Sequence, residues 1–262
     1  MTRVMGILNV TPDSFSDGGR YPSAVAAVAA GIAMHRAGAA IIDVGGESTR
    51  PGAEPVPADE ELARVMPVVE GLVAAGVPVS IDTMKPQVMA AATRAGAAMI
   101  NDVTALRYAP ESLAVAAASG AAVVLMHMAG TPRTMQQAPH YADVVTEVFA
   151  FLSERIAAAE AAGIPRARLV ADPGIGFGKT LAHNQALLAR LERFLGLGVP
   201  LMVGASRKSL IPGLAGPAEP GARLGGSLAL AIRAAQAGAA WVRVHDVPET
   251  VQALAVWRAV AP

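Results

Sequence analysis

Two short segments near the C-terminal end of the chain hold the side chains best suited to chemistry. In Gly204-Ala205-Ser206-Arg207-Lys208-Ser209 a lysine follows an apolar run. A lysine so placed can form a Schiff base if desolvation lowers its pKa, or it can donate hydrogen bonds to a carbonyl oxygen, and the adjacent Arg207 does not decide between the two. In Arg243-Val244-His245-Asp246 the alternation of a strand puts Arg243 and His245 on one face. A histidine alone is more often structural; paired with an arginine it reads as part of an anion site.

Three loops extend this set. Residues 9–19, Asn9-Val10-Thr11-Pro12-Asp13-Ser14-Phe15-Ser16-Asp17-Gly18-Gly19, form a turn-rich stretch whose length and embedded Phe15 suggest a lid with an apolar contact of its own. Gly45-Gly46-Glu47-Ser48-Thr49-Arg50-Pro51-Gly52 sets two hydroxyls beside an arginine between glycines, a composition suited to phosphate oxygens. Asp172-Pro173-Gly174-Ile175-Gly176-Phe177-Gly178-Lys179-Thr180 imitates a nucleotide-binding phosphate loop, but Pro173 stands where that pattern requires glycine, so the reading is rejected. A glycine-rich turn of this kind still lets the backbone approach a flat ligand closely.

Metal binding by histidine is poorly supported, since His35, His127, His140, His183 and His245 show no i, i+4 spacing and the chain has no cysteine. Magnesium stays open: it takes one or two protein oxygens plus water and phosphates, and Asn9 offers such an oxygen. Lysine is rare, with Lys85, Lys179 and Lys208 standing against 18 arginines. An ammonium wanted for itself and chance retention are equally good accounts of any one of them.

The elements that must position these groups follow from hydrophobic patterning. Short Val-, Ile- and Ala-rich runs at 4–10, 40–44, 77–81, 98–100, 121–126, 168–171, 200–203 and 240–244 alternate with helix-length stretches at 23–36, 58–74, 86–95, 111–118, 141–162, 183–195, 222–237 and 248–260. That alternation implies parallel βαβ units, and eight of them in 262 residues favour a closed (β/α)8 barrel, one domain over residues 1–262, over an open doubly wound sheet. Each apolar run ends at polar residues: Asn9; Asp43 and Glu47; Asp82; Asn101 and Asp102; His127; Asp172; Ser206 with Lys208; Arg243 with His245. In a barrel these converge on one rim.

The 21 basic and 21 acidic residues balance, leaving no global field for nucleic acid or an anionic membrane and favouring a small-molecule partner. No run reaches the ~18 uninterrupted apolar residues of a membrane span, and no export signal opens the chain, so it is expected in the cytoplasm.

Together, residues 6–19, 46–52 and 172–179, extended by Ser206-Arg207-Lys208-Ser209 and Arg243-Val244-His245-Asp246-Val247, closely resemble the signatures of the dihydropteroate synthase family. The resemblance spans residues 4–260. It implies a TIM barrel that condenses 6-hydroxymethyl-7,8-dihydropterin pyrophosphate with 4-aminobenzoate. Carried over residue by residue, it assigns Asp172, Asn101, Lys208 and Asp82 to the pterin, with Asp82 offsetting the charge that develops as pyrophosphate leaves. Thr49, Arg50, Arg243 and His245, with Asn9 and Mg2+, fall to the pyrophosphate. Phe177, Pro51, Lys208 and Ser209 neighbour the aminobenzoate, and Phe15 and Asp17 arrive as the first loop closes. The resemblance also implies a homodimer. A methyltetrahydrofolate-dependent methyltransferase domain shares the barrel and pterin pocket but needs no pyrophosphate site; a silent pterin-binding paralogue would lack turnover.

Overall fold

The apolar runs form eight strands among the described residues: β1 Arg3–Asn9, β2 Ile41–Gly45, β3 Val79–Asp82, β4 Met99–Asp102, β5 Ala122–Met126, β6 Leu169–Asp172, β7 Met202–Val203 and β8 Trp241–Val244. The computed structural model describes residues 1–10, 23–50 and 52–260. All strand pairs are parallel, in the order β6-β5-β4-β3-β2-β1-β8-β7. A single bridge between Ala171 and Leu201 joins β6 to β7 and closes the barrel.

The helices are α1 Ala24–Arg36, α2 Ala58–Ala74, α3 Pro86–Arg94, α4 Ser112–Ser119, α5 Val144–Ala161, α6 Leu181–Ala189, α7 Leu210–Ala215, α8 Leu224–Gln236 and α9 Val247–Val260. The short α7 interrupts the alternation, and the stretch expected as one helix over 183–195 divides into α6 and a 3-10 segment, Leu191–Leu197. Local chemistry sets the starts. Asp143 accepts from the Val145 and Thr146 amides and so begins α5 three residues later than the apolar pattern alone suggests, while Thr180 and His183 form a reciprocal cap on α6. In α2, Asp59, Glu60 and Glu61 occupy the positive first turn, and the buried stripe runs Glu61, Val65, Val68, Val69, Leu72.

Strand alternation divides the core. Residues facing outward, such as Ile42, Val44, Ile81, Ile100 and Leu125, pack under the helices. Inward-facing Met5, Ile41, Met99, Val124, Val170, Met202 and Trp241 plug the lower barrel, and Arg3 lies 3.8 Å over the Trp241 ring beneath them. One step further along the same strands the inward positions become Asp43, Asp82, Asn101, Asp172 and Arg243. The apolar plug is the floor on which the polar layer stands.

Candidate active site

The polar layer is tied together by Arg243. Its Nε donates to Asp43 Oδ2 at 2.6 Å and its Nη2 to Asp82 Oδ2 at 2.6 Å, while Asn101 Nδ2 donates to the same Asp43 oxygen at 3.0 Å. Burial works against the Arg243 charge, but Asp43 and Asp82 hold its pKa above the ordinary value. Burial pushes Asp82 up, opposed by Arg243 and reinforced by Asp43. Among the described residues the buried Asp43 Oδ1 and Ser80 Oγ have no hydrogen-bond partner, and the two residues are register neighbours on β2 and β3.

Asp172, at the end of β6, is buried. Its Oδ1 accepts from the Gly174 amide at 2.7 Å; burial raises its pKa, with Lys208 the main opposing charge. Lys208 reaches this group from the loop after β7. Its Nζ donates to the Ile175 carbonyl and lies 4.4 Å from the centre of the Phe177 ring, and burial lowers its pKa to about 8, with Asp172 drawing it back. The preceding residue, Arg207, has φ 57°, a left-handed conformation unusual for a side-chain-bearing residue. Its guanidinium grips Asp246, its amide donates to Ser227 Oγ at 3.0 Å and its carbonyl accepts from Arg223 at 2.8 Å. Those contacts hold the strained turn that aims Lys208 inward. Ser209, next along, is exposed.

His245 faces inward with Arg243, as alternation requires. Ser206 Oγ accepts from its amide at 3.2 Å and lies 3.1 Å from Nδ1. Burial, then Arg243 and Arg207, lower its pKa to about 3, with Arg50 adding to the effect. The imidazole is therefore a neutral hydrogen-bond donor or acceptor in an otherwise cationic corner. Arg50 itself is exposed and Thr49 half-buried. Their loop is fastened from below, where Glu47 pairs with Lys85, Lys85 pairs with Glu61, and Arg64 Nη1 donates to the Gly46 carbonyl at 2.8 Å.

Three rim residues read from the sequence do not line the site. Asp102 faces outward, because Asn101 takes the inward position, and accepts from Thr104 and Leu106 at 2.8 Å to shape its own loop. Glu47 is the loop anchor just described, and His127 is enclosed beside Lys179, at 2.9 Å. The sequence places Asp43 only at the rim; its part as the anchor of Arg243 spans 200 residues of sequence and is visible only once the barrel closes. Asp17, Phe15 and Pro51 lie outside the described residues. Asn9 ends β1, and a Cβ at Gly45 would lie 3.5 Å from both Asn9 Oδ1 and Asp82 Cβ.

A family model for pterin binding enzymes matches residues 5–245. The chain is also 54% identical over 256 residues to dihydropteroate synthase of Escherichia coli strain K12, covering 97% of this chain and 89% of that one. It belongs to the dihydropteroate synthase family. Solved structures agree: Xanthomonas albilineans dihydropteroate synthase with 4-aminobenzoic acid superposes with a TM-score of 0.92 at 56% identity, covering 99% of this chain and 93% of the other. The same enzyme in complex with 7,8-dihydropteroate gives 0.89 at 54% identity, with the same coverages. The family's activity is that of a transferase of folate biosynthesis, which joins 6-hydroxymethyl-7,8-dihydropterin pyrophosphate to 4-aminobenzoate and releases pyrophosphate and 7,8-dihydropteroate. Among the described residues no helix is long and apolar enough to cross a membrane.

Proposed function

We propose that this chain carries out the dihydropteroate synthase reaction by dividing it between the polar layer and the cationic corner. The observation that carries the reading is the inward convergence of Asp82, Asn101, Asp172 and Lys208 above an apolar floor. A pterin edge bearing a 2-amino group and N3–H is a two-donor face, which the Asp172 carboxylate accepts bidentately. Asn101, with one N–H already given to Asp43, turns its remaining amide groups to the ring nitrogens. Lys208 donates to O4 and N5; its reactants offer no ketone, so imine formation has no place. As the methylene carbon–oxygen bond breaks, the bonding pair leaves with pyrophosphate, and the Asp82 carboxylate faces the positive charge left on the pterin. Thr49, Arg50, Arg243 and His245 hold the departing anion. The aminobenzoate nitrogen, beside Phe177, Lys208 and Ser209, then bonds to the methylene and gives its proton to the departing pyrophosphate or to solvent; Asp17, assigned with it by the resemblance, lies outside the described residues. No protein nucleophile is required.

Mg2+ belongs to this reading as a counter-charge for the phosphates. The space left beside Asn9 Oδ1 by the missing Cβ of Gly45 suits a single protein ligand, and no cluster of three acidic or histidine side chains competes for the ion among the described residues. Assembly as a homodimer and residence in the cytoplasm complete the proposal; exposed Val256 and Val260 on α9 support a partner on that face.

The test is Asp172→Asn, which sets an NH2 group against a donor. The variant is expected to bind pterin pyrophosphate about 1.5–3 kcal/mol more weakly by calorimetry, the worth of a hydrogen bond to a charged group. Unchanged affinity removes Asp172 from the pterin site.

A further inference from the structure

The reaction as assigned leaves one buried cation without a task. Lys179 is 3% exposed, and its Nζ lies 2.9 Å from His127 Nδ1, 2.9 Å from the Gly174 carbonyl and 2.9 Å from the Phe177 carbonyl. A protonated ammonium has three donors and no acceptor, so while Lys179 is charged His127 Nδ1 is the acceptor; the His127 carbonyl, at 3.4 Å, is a fourth and longer partner. The ring proton then sits on Nε2. Burial, followed by the charge of Lys179, lowers the His127 pKa to about 3, in keeping with that neutral form. Phe151 packs edge-on to the imidazole at 4.9 Å and helps to enclose it.

Two of these acceptors, the Gly174 and Phe177 carbonyls, belong to the glycine-rich turn after β6, and between them lies Ile175, whose carbonyl accepts from Lys208. The Phe177 ring beneath Lys208 is attached to one of the carbonyls that Lys179 holds. The turn is drawn tight against its support. A Cβ at Gly174, where φ is 68°, would lie 1.9 Å from the His127 carbonyl oxygen, and one at Gly178 would lie 2.7 Å from Ala129 Cβ. Its outer side is braced as well: Tyr141 Oη donates to the Gly178 carbonyl at 2.8 Å, and Gln136 Nε2 to the Gly176 carbonyl at 2.9 Å.

We propose that Lys179, seated on His127, is a positioning residue for aminobenzoate: it fixes the turn that presents the Phe177 ring, without touching either substrate. The proposal rests on the assignment of Phe177 to the aminobenzoate pocket. The Asp172 side of the slot has its own bond to the Gly174 amide, so loss of Lys179 falls on the far end of the turn.

Steady-state kinetics on the full chain, with pyrophosphate release as readout, tests this. Lys179→Met is expected to raise the aminobenzoate KM about tenfold or more, while kcat and the pterin pyrophosphate KM stay within about threefold, the pattern of binding lost equally from ground state and transition state. His127→Leu should act likewise, and His127→Gln, which restores an acceptor, should recover most of the loss. Tyr141→Phe, which slackens the same turn from outside, serves if Lys179→Met does not fold, and is expected to raise the same KM about threefold. Unchanged aminobenzoate KM in the folded variants, or a parallel fall in all constants, overturns the proposal. Phe177→Ala separates the two layers of the reading: if it leaves the aminobenzoate KM unchanged, the pocket assignment fails and the role of Lys179 falls with it.

Discussion

Lys85 and Lys179 are both buried and each fastens a loop that the proposed reading assigns to substrate, yet their surroundings differ in charge. Lys85 sits between the carboxylates of Glu47 and Glu61 and holds the loop of Thr49 and Arg50. Burial opposes its charge, but those two acids raise its pKa above the ordinary value. Lys179 sits among three carbonyls and a neutral imidazole. Burial there lowers its pKa to about 7, with Asp172 opposing and Lys208 reinforcing the shift. An ion-paired staple keeps its charge across the working pH range, whereas a staple of neutral acceptors is set near its own titration point.

The contrast predicts unequal costs of removal. Lys85→Met leaves two buried carboxylates without their cation, one of them with Glu61 Oε1 already unpartnered, and should destabilise the chain by about 3–5 kcal/mol in urea unfolding. A loss under 1 kcal/mol would show that the acids are served by other groups and would erase the contrast.

A second outcome concerns pH. The Lys179 pKa is lowered on folding, so between about 7 and 10.5 the unfolded chain binds the extra proton and stability rises with pH; below that window the penalty is constant. The Lys85 pKa is raised, so its contribution is intact throughout that window and is lost only above 10.5. Wild type should therefore gain stability over Lys179→Met as pH rises from 7 to 10, by at most about 1.4 kcal/mol per pH unit for one proton. The groups facing Lys179 that bear on this window are Asp172, Lys208 and His127. A flat difference across it would mean that Lys179 keeps an ordinary pKa despite its burial.

The smallest effect sharpens the comparison at its edge. Arg64→Leu removes the bond to the Gly46 carbonyl and the exposed pair with Glu60 but leaves the Lys85 pairs in place, so it should cost only about 1–2 kcal/mol in the same unfolding experiment. A cost equal to that of Lys85→Met would move the anchoring of this loop from the ion pairs to the backbone contact.

Much of the site was legible because period-2 alternation decides which residues of a strand face inward. Once the eight apolar runs are strands, Asp82, Asn101, Asp172 and Arg243 must share the barrel interior. Partnerships across the barrel are not written locally. Asp43 and Arg243 meet because β1 lies between β2 and β8, a fact of closure that no spacing records. The short α7 was missed because its six residues are too few to show a period. One overlooked signal was present: Glu61 lies on the apolar stripe of α2, and an acid there demands a buried cation in a chain with only three lysines. The strain at Arg207 had no such signal, since its support comes from Asp246, Ser227 and Arg223 on other elements.

The seam between β6 and β7 gives the barrel a mechanical character that the ladders elsewhere do not have. β1 and β2 are stitched at five register positions, but the seam rests on the Ala171–Leu201 bridge alone among the described residues. Asp172 and the turn of Phe177 leave from one side of it, and Lys208 from the other. The barrel is thus joined most lightly between the two walls of the slot assigned to the pterin, so a flat ring there lies against the one junction that is held by a single bridge.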